Sequence, residues 1–235
     1  MMRHLCCLGL VCLLPICQGN AQETAPTSAT GIIREEIEWL DVWVPGNSNT
    51  QLPKVLLVGD SITRGYYGAV ETALKGKAIV CRLTTSKSLG DPGLIEEVHL
   101  ILSQTKYDIV HFNNGLHGWG YSEKEYEKGF VELLKTFKKD AHGAKLIWAT
   151  TTPMREPGKD QFQAKTGRIK ARNAIAATLT NKEGIATNDL FGFLEEKPAF
   201  WSGDGVHLNG NGTKALGSLV SEILLENLSS KPLKK

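Results

Sequence analysis

Past its first 17 residues the chain has a single cysteine. Of the five in the sequence, Cys6, Cys7, Cys12 and Cys17 crowd the amino end and only Cys81 stands apart. A lone thiol closes no intrachain disulfide, and with no Cys/His cluster beside it the sequence offers no metal site. A dominant charge is also missing. The formal balance of 27 basic and 25 acidic residues is +2, which excludes the basic field of a nucleic-acid binder. After the amino end no apolar run reaches the length that spans a bilayer, so stable membrane insertion is not expected. No internal repeat appears, and no shift of composition marks a second domain. The chain must therefore hold itself together by a hydrophobic core, and roughly 200 residues suffice for one such domain.

What is present begins with a targeting pattern. Arg3 gives a positive start, Leu5 to Ile16 is apolar but short, and Gly19-Asn20-Ala21 supplies small residues. This reads as a secretory signal over residues 1–21, with export to the periplasm or the outside. Residues 22–50 read as a leader and N-terminal segment, and 51–230 as the folded domain. Within 35–44, Trp39 and Trp43 lie four apart, a helical spacing. Cys81 sits in the apolar run Ala78-Ile79-Val80-Cys81 and reads as an inert core thiol. The carboxyl-terminal Lys231-Pro232-Leu233-Lys234-Lys235 reads as a solvated tail.

From Lys54 onward apolar strands alternate with helical patterns. Strands are expected at 54–58, 78–83, 108–112, 145–149 and 184–187. Helices are expected at 63–74, 95–103, from Ser122 onward, 163–181 and 213–227. Ser122 followed by Glu125 is a capping box, and Tyr126, Phe130, Leu133, Leu134 and Phe137 form the apolar stripe behind it. Such alternation predicts an α/β fold, a parallel sheet covered by helices on both faces.

The loops after these strands collect polar residues on one rim. They are Gly59-Asp60-Ser61, then Ser86 to Asp91 with Gly90, then Asn113 to Gly118, and finally Asp204-Gly205-Val206-His207. A serine hydroxyl is inert without a base. His207 is a suitable base for Ser61, and Asp204 is placed to hold the other ring nitrogen. An oxyanion would need fixed donors. The N–H of Ser61 and of Gly90 qualify, as do the side chains of Asn113, Asn114 and His117. Plainer readings exist for each: Ser61 as a helix cap, Asp204-Gly205 as a turn. Arg155, after the fourth strand, is a candidate for orienting a polar substrate group or a surface ion pair. Trp119 is a candidate for stacking on a sugar ring or for covering the core. His111 lies inside the third strand and reads as a core histidine.

Taken in order, Gly59-Asp60-Ser61, Gly90, the 113–118 loop and Asp204-x-x-His207 resemble the four blocks of the SGNH, or GDSL, hydrolase family. The resemblance runs from about Leu52 to the last helix. It implies a flavodoxin-like, three-layer α/β/α sandwich with a five-stranded parallel sheet. It implies carboxylic-ester hydrolysis with no cofactor and no metal, Ser61 attacking, His207 moving the proton and Asp204 orienting His207. The substrate class it implies is a small-molecule or polysaccharide ester, O-acetylated carbohydrate first. A lipase or lysophospholipase, an acyl transferase and a non-catalytic binder on the same fold are the alternatives. The Gly-x-Ser-x-Gly of the other large α/β esterase fold is absent. One block departs from the family. In place of Gly-x-Asn-Asp stands Gly115-Leu116-His117-Gly118, so His117 occupies the place of the oxyanion-hole asparagine, with Asn113 as the competing donor. In this it resembles a subgroup of secreted bacterial members with Asn-x-Gly-Leu-His in the same loop.

Overall fold

The computed structural model describes residues 31–46, 48–49 and 51–229; the expected signal segment lies outside them. The central strand, Lys54–Gly59 (β2), shows why a sheet forms here. Its apolar run has no polar face, as a strand covered on both sides requires. Val55 and Leu57 enter one core, Leu56 and Val58 the other. Ile79–Thr85 (β3) pairs parallel to one side of β2 and Ile109–Phe112 (β4) to the other. Lys145–Ala149 (β5) and Ala186–Asn188 (β6) continue outward, also parallel.

The sixth strand corrects an expectation. Residues Leu40–Trp43 (β1) are not helical; they pair antiparallel to β3, Leu40 opposite Thr85 and Trp43 opposite Arg82. The sheet therefore has six strands in the order β1-β3-β2-β4-β5-β6, five of them parallel. Three features outweigh the four-residue spacing of the tryptophans. Leu40, Val42 and Val44 also alternate, and β-branched and aromatic residues suit a strand. Asp41 meets Arg82 across the pair at 2.9 Å, and Pro45 disfavours helical backbone at Val44.

Helices cover both faces. Ser61–Ala73 (α1) and the last helix, Gly210–Ser229 (α6), pack against one, joined by the short Leu190–Glu195 (α5). Pro92–Gln104 (α2) and Glu123–Asp140 (α3) cover the other, with Lys165–Lys182 (α4) running beside α3. The capping box at Ser122 and Glu125 forms, and the five apolar residues of the α3 stripe are buried. Cys81 is a free, buried thiol whose burial pushes its pKa up to about 11. Among the described residues no helix is long and apolar enough to cross a membrane.

This strand order puts the site in place. The connection after β2 leads to β3 on one side, while β4 lies on the other, so the loops at their carboxyl ends diverge around β2. Such a divergence opens a crevice at the strand ends, where open α/β sheets bind ligands.

Candidate active site

The turn from β2 into α1 takes one residue. Asp60, not Ser61, caps the helix: its Oδ1 accepts the Ile62 N–H at 2.9 Å. Ser61 is thus the first helical residue, and its hydroxyl is released from capping. Gly59 is required by close approach, since a Cβ there would run into the Thr63 side chain.

The loop before α6 brings the imidazole. A bridge between Trp201 and Leu208 closes its base, and the Ser202 N–H donates to the His207 carbonyl at 2.8 Å. Gly205 turns the chain at φ +72°, and a side chain there would strike the Arg155 carbonyl. Asp204 Oδ1 accepts from the N–H groups of Val206 and His207, each at 2.9 Å, and from Ser202 Oγ at 2.7 Å. Its Oδ2 lies 2.6 Å from His207 Nδ1. Partial burial would raise the Asp204 pKa, but the hydrogen bonds from His207, Val206 and Ser202 outweigh it and hold the carboxyl well below the usual range. His207 Nε2 lies 2.9 Å from Ser61 Oγ, although the two residues are 146 apart in sequence. Asn209 caps α6 just beyond, accepting from Asn211 and Gly212 at 3.0 Å.

Such a chain can pass a proton from Ser61 Oγ to His207 Nε2 while Asp204 keeps the Nδ1–H tautomer and steadies the imidazolium that forms. Negative charge on an attacked carbonyl would then need donors on the same rim. The N–H of Ser61 stands in the first turn of α1, where amides lack helical partners. In the second loop the Leu89 N–H goes to Asn114 Oδ1 and the Asp91 N–H to the Ser88 carbonyl, whereas the Gly90 N–H makes none of the loop's backbone bonds. A side chain at Gly90 would collide with the Tyr121 ring.

Other predicted site residues fall out of the constellation. Both Asn113 amide hydrogens are committed, to the Ala149 carbonyl at 2.7 Å and Thr151 Oγ1 at 3.1 Å. Asn113 therefore ties β4's loop to β5's and is not a free oxyanion donor. Asn114 is tied into the second loop, its amide donating to the Lys87 carbonyl at 2.9 Å and its Oδ1 accepting the Leu89 N–H. Arg155 is buried rather than facing substrate. Its guanidinium donates to the Asp160 and Glu195 carbonyls and stacks on Phe162 at 4.5 Å. It braces the 155–162 loop, a role invisible without the tertiary partners. Trp119 does line the open cleft, though its ring packs among Arg172 at 4.8 Å, Lys165 at 5.1 Å and Arg168 at 5.7 Å. His111 is fully buried against Asn188, and burial pulls its pKa down to about 4, leaving it a neutral core residue.

His117 sits on the rim beside a cleft of about 820 Å³, bordered also by Leu116, Met154 and Val206. A second cavity of about 140 Å³ lies directly at Ser61 and His207, walled by Ile62, Tyr66 and Leu208. Two residues around His117 gave no signal in the sequence. Arg172, buried on α4, donates to the carbonyls of Gly115, His117 and Gly118 at 2.8–3.0 Å, holding the third loop's backbone. Glu35 reaches His117 Nδ1 at 2.8 Å from the segment ahead of β1. That segment is anchored by the Ile33 N–H on Tyr121 Oη at 2.7 Å and Arg34 on Asp91 at 2.9 Å.

No family model matches the chain, and no curated protein does. Solved structures do. A carbohydrate esterase family 3 protein from Talaromyces cellulolyticus superposes with a TM-score of 0.62 at 15% identity, over 77% of this chain and 100% of that one. A carbohydrate acetylesterase from Sinorhizobium meliloti gives 0.61 at 16%, over 74% and 99%. The catalytic domain of peptidoglycan O-acetyltransferase A from Streptococcus pneumoniae gives 0.57 at 21%, over 78% and 98%. Likeness at such identities establishes the fold: an α/β/α sandwich of the kind the SGNH hydrolases use.

Proposed function

We propose that the protein is a secreted serine esterase that removes short acyl groups, O-acetyl groups on carbohydrate foremost. Ser61 attacks the acyl carbon. His207 takes the hydroxyl proton and returns it to the leaving alcohol, with Asp204 holding the ring. Water activated by His207 then releases the acyl-enzyme. The single observation that carries this reading is the relay Ser61 Oγ to His207 Nε2 at 2.9 Å and His207 Nδ1 to Asp204 Oδ2 at 2.6 Å. Two lesser points agree with it. The cavity at Ser61 is about 140 Å³, a size suited to a short acyl group, and carbohydrate acetylesterases share the fold. The non-catalytic alternative has against it the cost of holding a serine, an imidazole and a carboxylate in one line with no use for them.

A fluorophosphonate probe tests the chemistry. Labelling at Ser61 that disappears in His207→Ala supports the esterase; folded protein that takes no label overturns it. Acetylated glycans set against nitrophenyl esters of two and twelve carbons, a contrast of about ten methylenes and so several kcal/mol of burial, decide the acyl group. Faster turnover of the long ester would move the assignment to a lipase. Retention of the signal segment on exported protein would count against secretion through it.

A further inference from the structure

His117 faces a chemical constraint set by its partner. Its Nδ1 lies 2.8 Å from Glu35 Oε1, and a carboxylate accepts hydrogen bonds without giving them. The hydrogen on that side of the ring is therefore fixed on Nδ1. A neutral His117 then carries a lone pair at Nε2, not a hydrogen. In that form the ring fails as an oxyanion donor through Nε2. The imidazolium alone has an N–H on both sides. No residue among those described takes Nε2 as a hydrogen-bond partner, and the ring borders the large cleft next to Val206, the neighbour of His207.

The groups around the ring bear on its charge. Burial works against the imidazolium, but the hydrogen bond to Glu35 and the carboxylates of Asp60, Glu35 and Glu38 work for it, and the net displacement of the His117 pKa is upward. Of the positive groups on the same cleft, Arg34 pairs with Asp91, Arg168 pairs with Glu123, and Lys165 lies over the Trp119 ring. Arg172 meets the His117 carbonyl and not the ring, at 2.8 Å. Arg64 stacks on Trp39 at 4.6 Å, and the Trp39 ring meets His117 edge-on at 6.4 Å. Lys87 lies 3.7 Å from Glu38 and 2.9 Å from Glu97.

We propose that Glu35 is a positioning residue that holds His117 in its charged, Nδ1-paired form, so that Nε2–H is offered to the cleft as an oxyanion donor. This rests on the esterase reading above. It gives the site a donor with a pH dependence that an asparagine lacks. The sign follows from the direction of the shift. A raised histidine keeps its second hydrogen below the raised value and loses it as pH climbs through that value, so activity falls on the alkaline side.

The test pairs spectroscopy with kinetics on the whole protein. Nitrogen-15 NMR of histidine-labelled protein, with His117→Gln to assign the signal, reads the tautomer and the titration of His117. The neutral form is expected to carry its hydrogen on Nδ1. Glu35→Gln should move the His117 midpoint to lower pH and the alkaline limb of kcat with it. At a pH between the two limbs kcat should fall roughly 10- to 100-fold with KM nearly unchanged, less than the full loss of one oxyanion donor because a fraction of His117 stays charged. Glu35→Asp, which keeps the charge, should restore much of both. A wild-type neutral form with its hydrogen on Nε2, or an alkaline limb that ignores Glu35→Gln, overturns the proposal. Wild-type protein that hydrolyses no ester while His117 still titrates with Glu35 overturns the esterase reading instead, and the donor role falls with it.

Discussion

His207 finds its carboxylate three residues upstream, in the same turn; His117 reaches 82 residues back, to a segment outside the parallel sheet. Both rings use Nδ1 for that contact, at 2.6 Å and 2.8 Å. They differ at the other nitrogen. His207 Nε2 is engaged by Ser61, and about half of its side chain is exposed. His117 is mostly buried, borders the cleft, and has no described residue hydrogen-bonded to its Nε2. The same pair, carboxylate and imidazole, thus supports two opposite tasks. A ring whose second nitrogen meets a hydroxyl is placed to accept its proton. A ring sunk among carboxylates and bordering the cleft is suited to hold its proton and donate.

The sharpest way to break this comparison is to remove each ring in turn. His207→Ala should lower kcat by about 10⁶-fold, since base and nucleophile fail together. Asp204→Asn should cost about 10⁴-fold, because an amide permits the wrong tautomer. His117→Ala should cost only about 10²–10³-fold, the loss expected for one donor. Steady-state kinetics on a short nitrophenyl ester rank the three. Equal losses at His207 and His117 would erase the distinction between base and donor. Arg172→Met, which leaves three loop carbonyls without their donor, should remove about 2–3 kcal/mol of stability and lower Tm by roughly 5–10 °C in thermal unfolding. An unchanged Tm would mean that the loop keeps its shape without the clamp.

The part of this picture that depends on short-range pattern was readable in advance. Uninterrupted apolar runs mark the parallel strands because those strands are buried on both faces, and the stripe from Tyr126 to Phe137 marks α3 by its period. The relay residues were readable because each lies in a compact turn, Gly59-Asp60-Ser61 and Asp204-Gly205-Val206-His207. The misreadings share one cause, a partner distant in sequence. Trp39 and Trp43 fit a helix until β3 offers them an edge. Asn113 looks like a free donor until Ala149 and Thr151 claim its amide. Arg155 looks exposed until Glu195 and Phe162 close over it. Glu35 carried no local signal at all, being one acid among several in a polar stretch.

The place of Glu35 in the chain has a consequence for how the protein can be altered. Every parallel strand, the fully buried residues of both cores, and Ser61, Asp204 and His207 lie from Lys54 onward. A protein shortened to begin there would lose the edge strand β1 together with the acid that meets the His117 ring. If His117 donates as proposed, trimming only ahead of β1, so that Glu35 goes and the edge strand stays, would act as a dial on the working pH, turned by proteolysis or by the choice of first residue, without a single change inside the sheet or its helices.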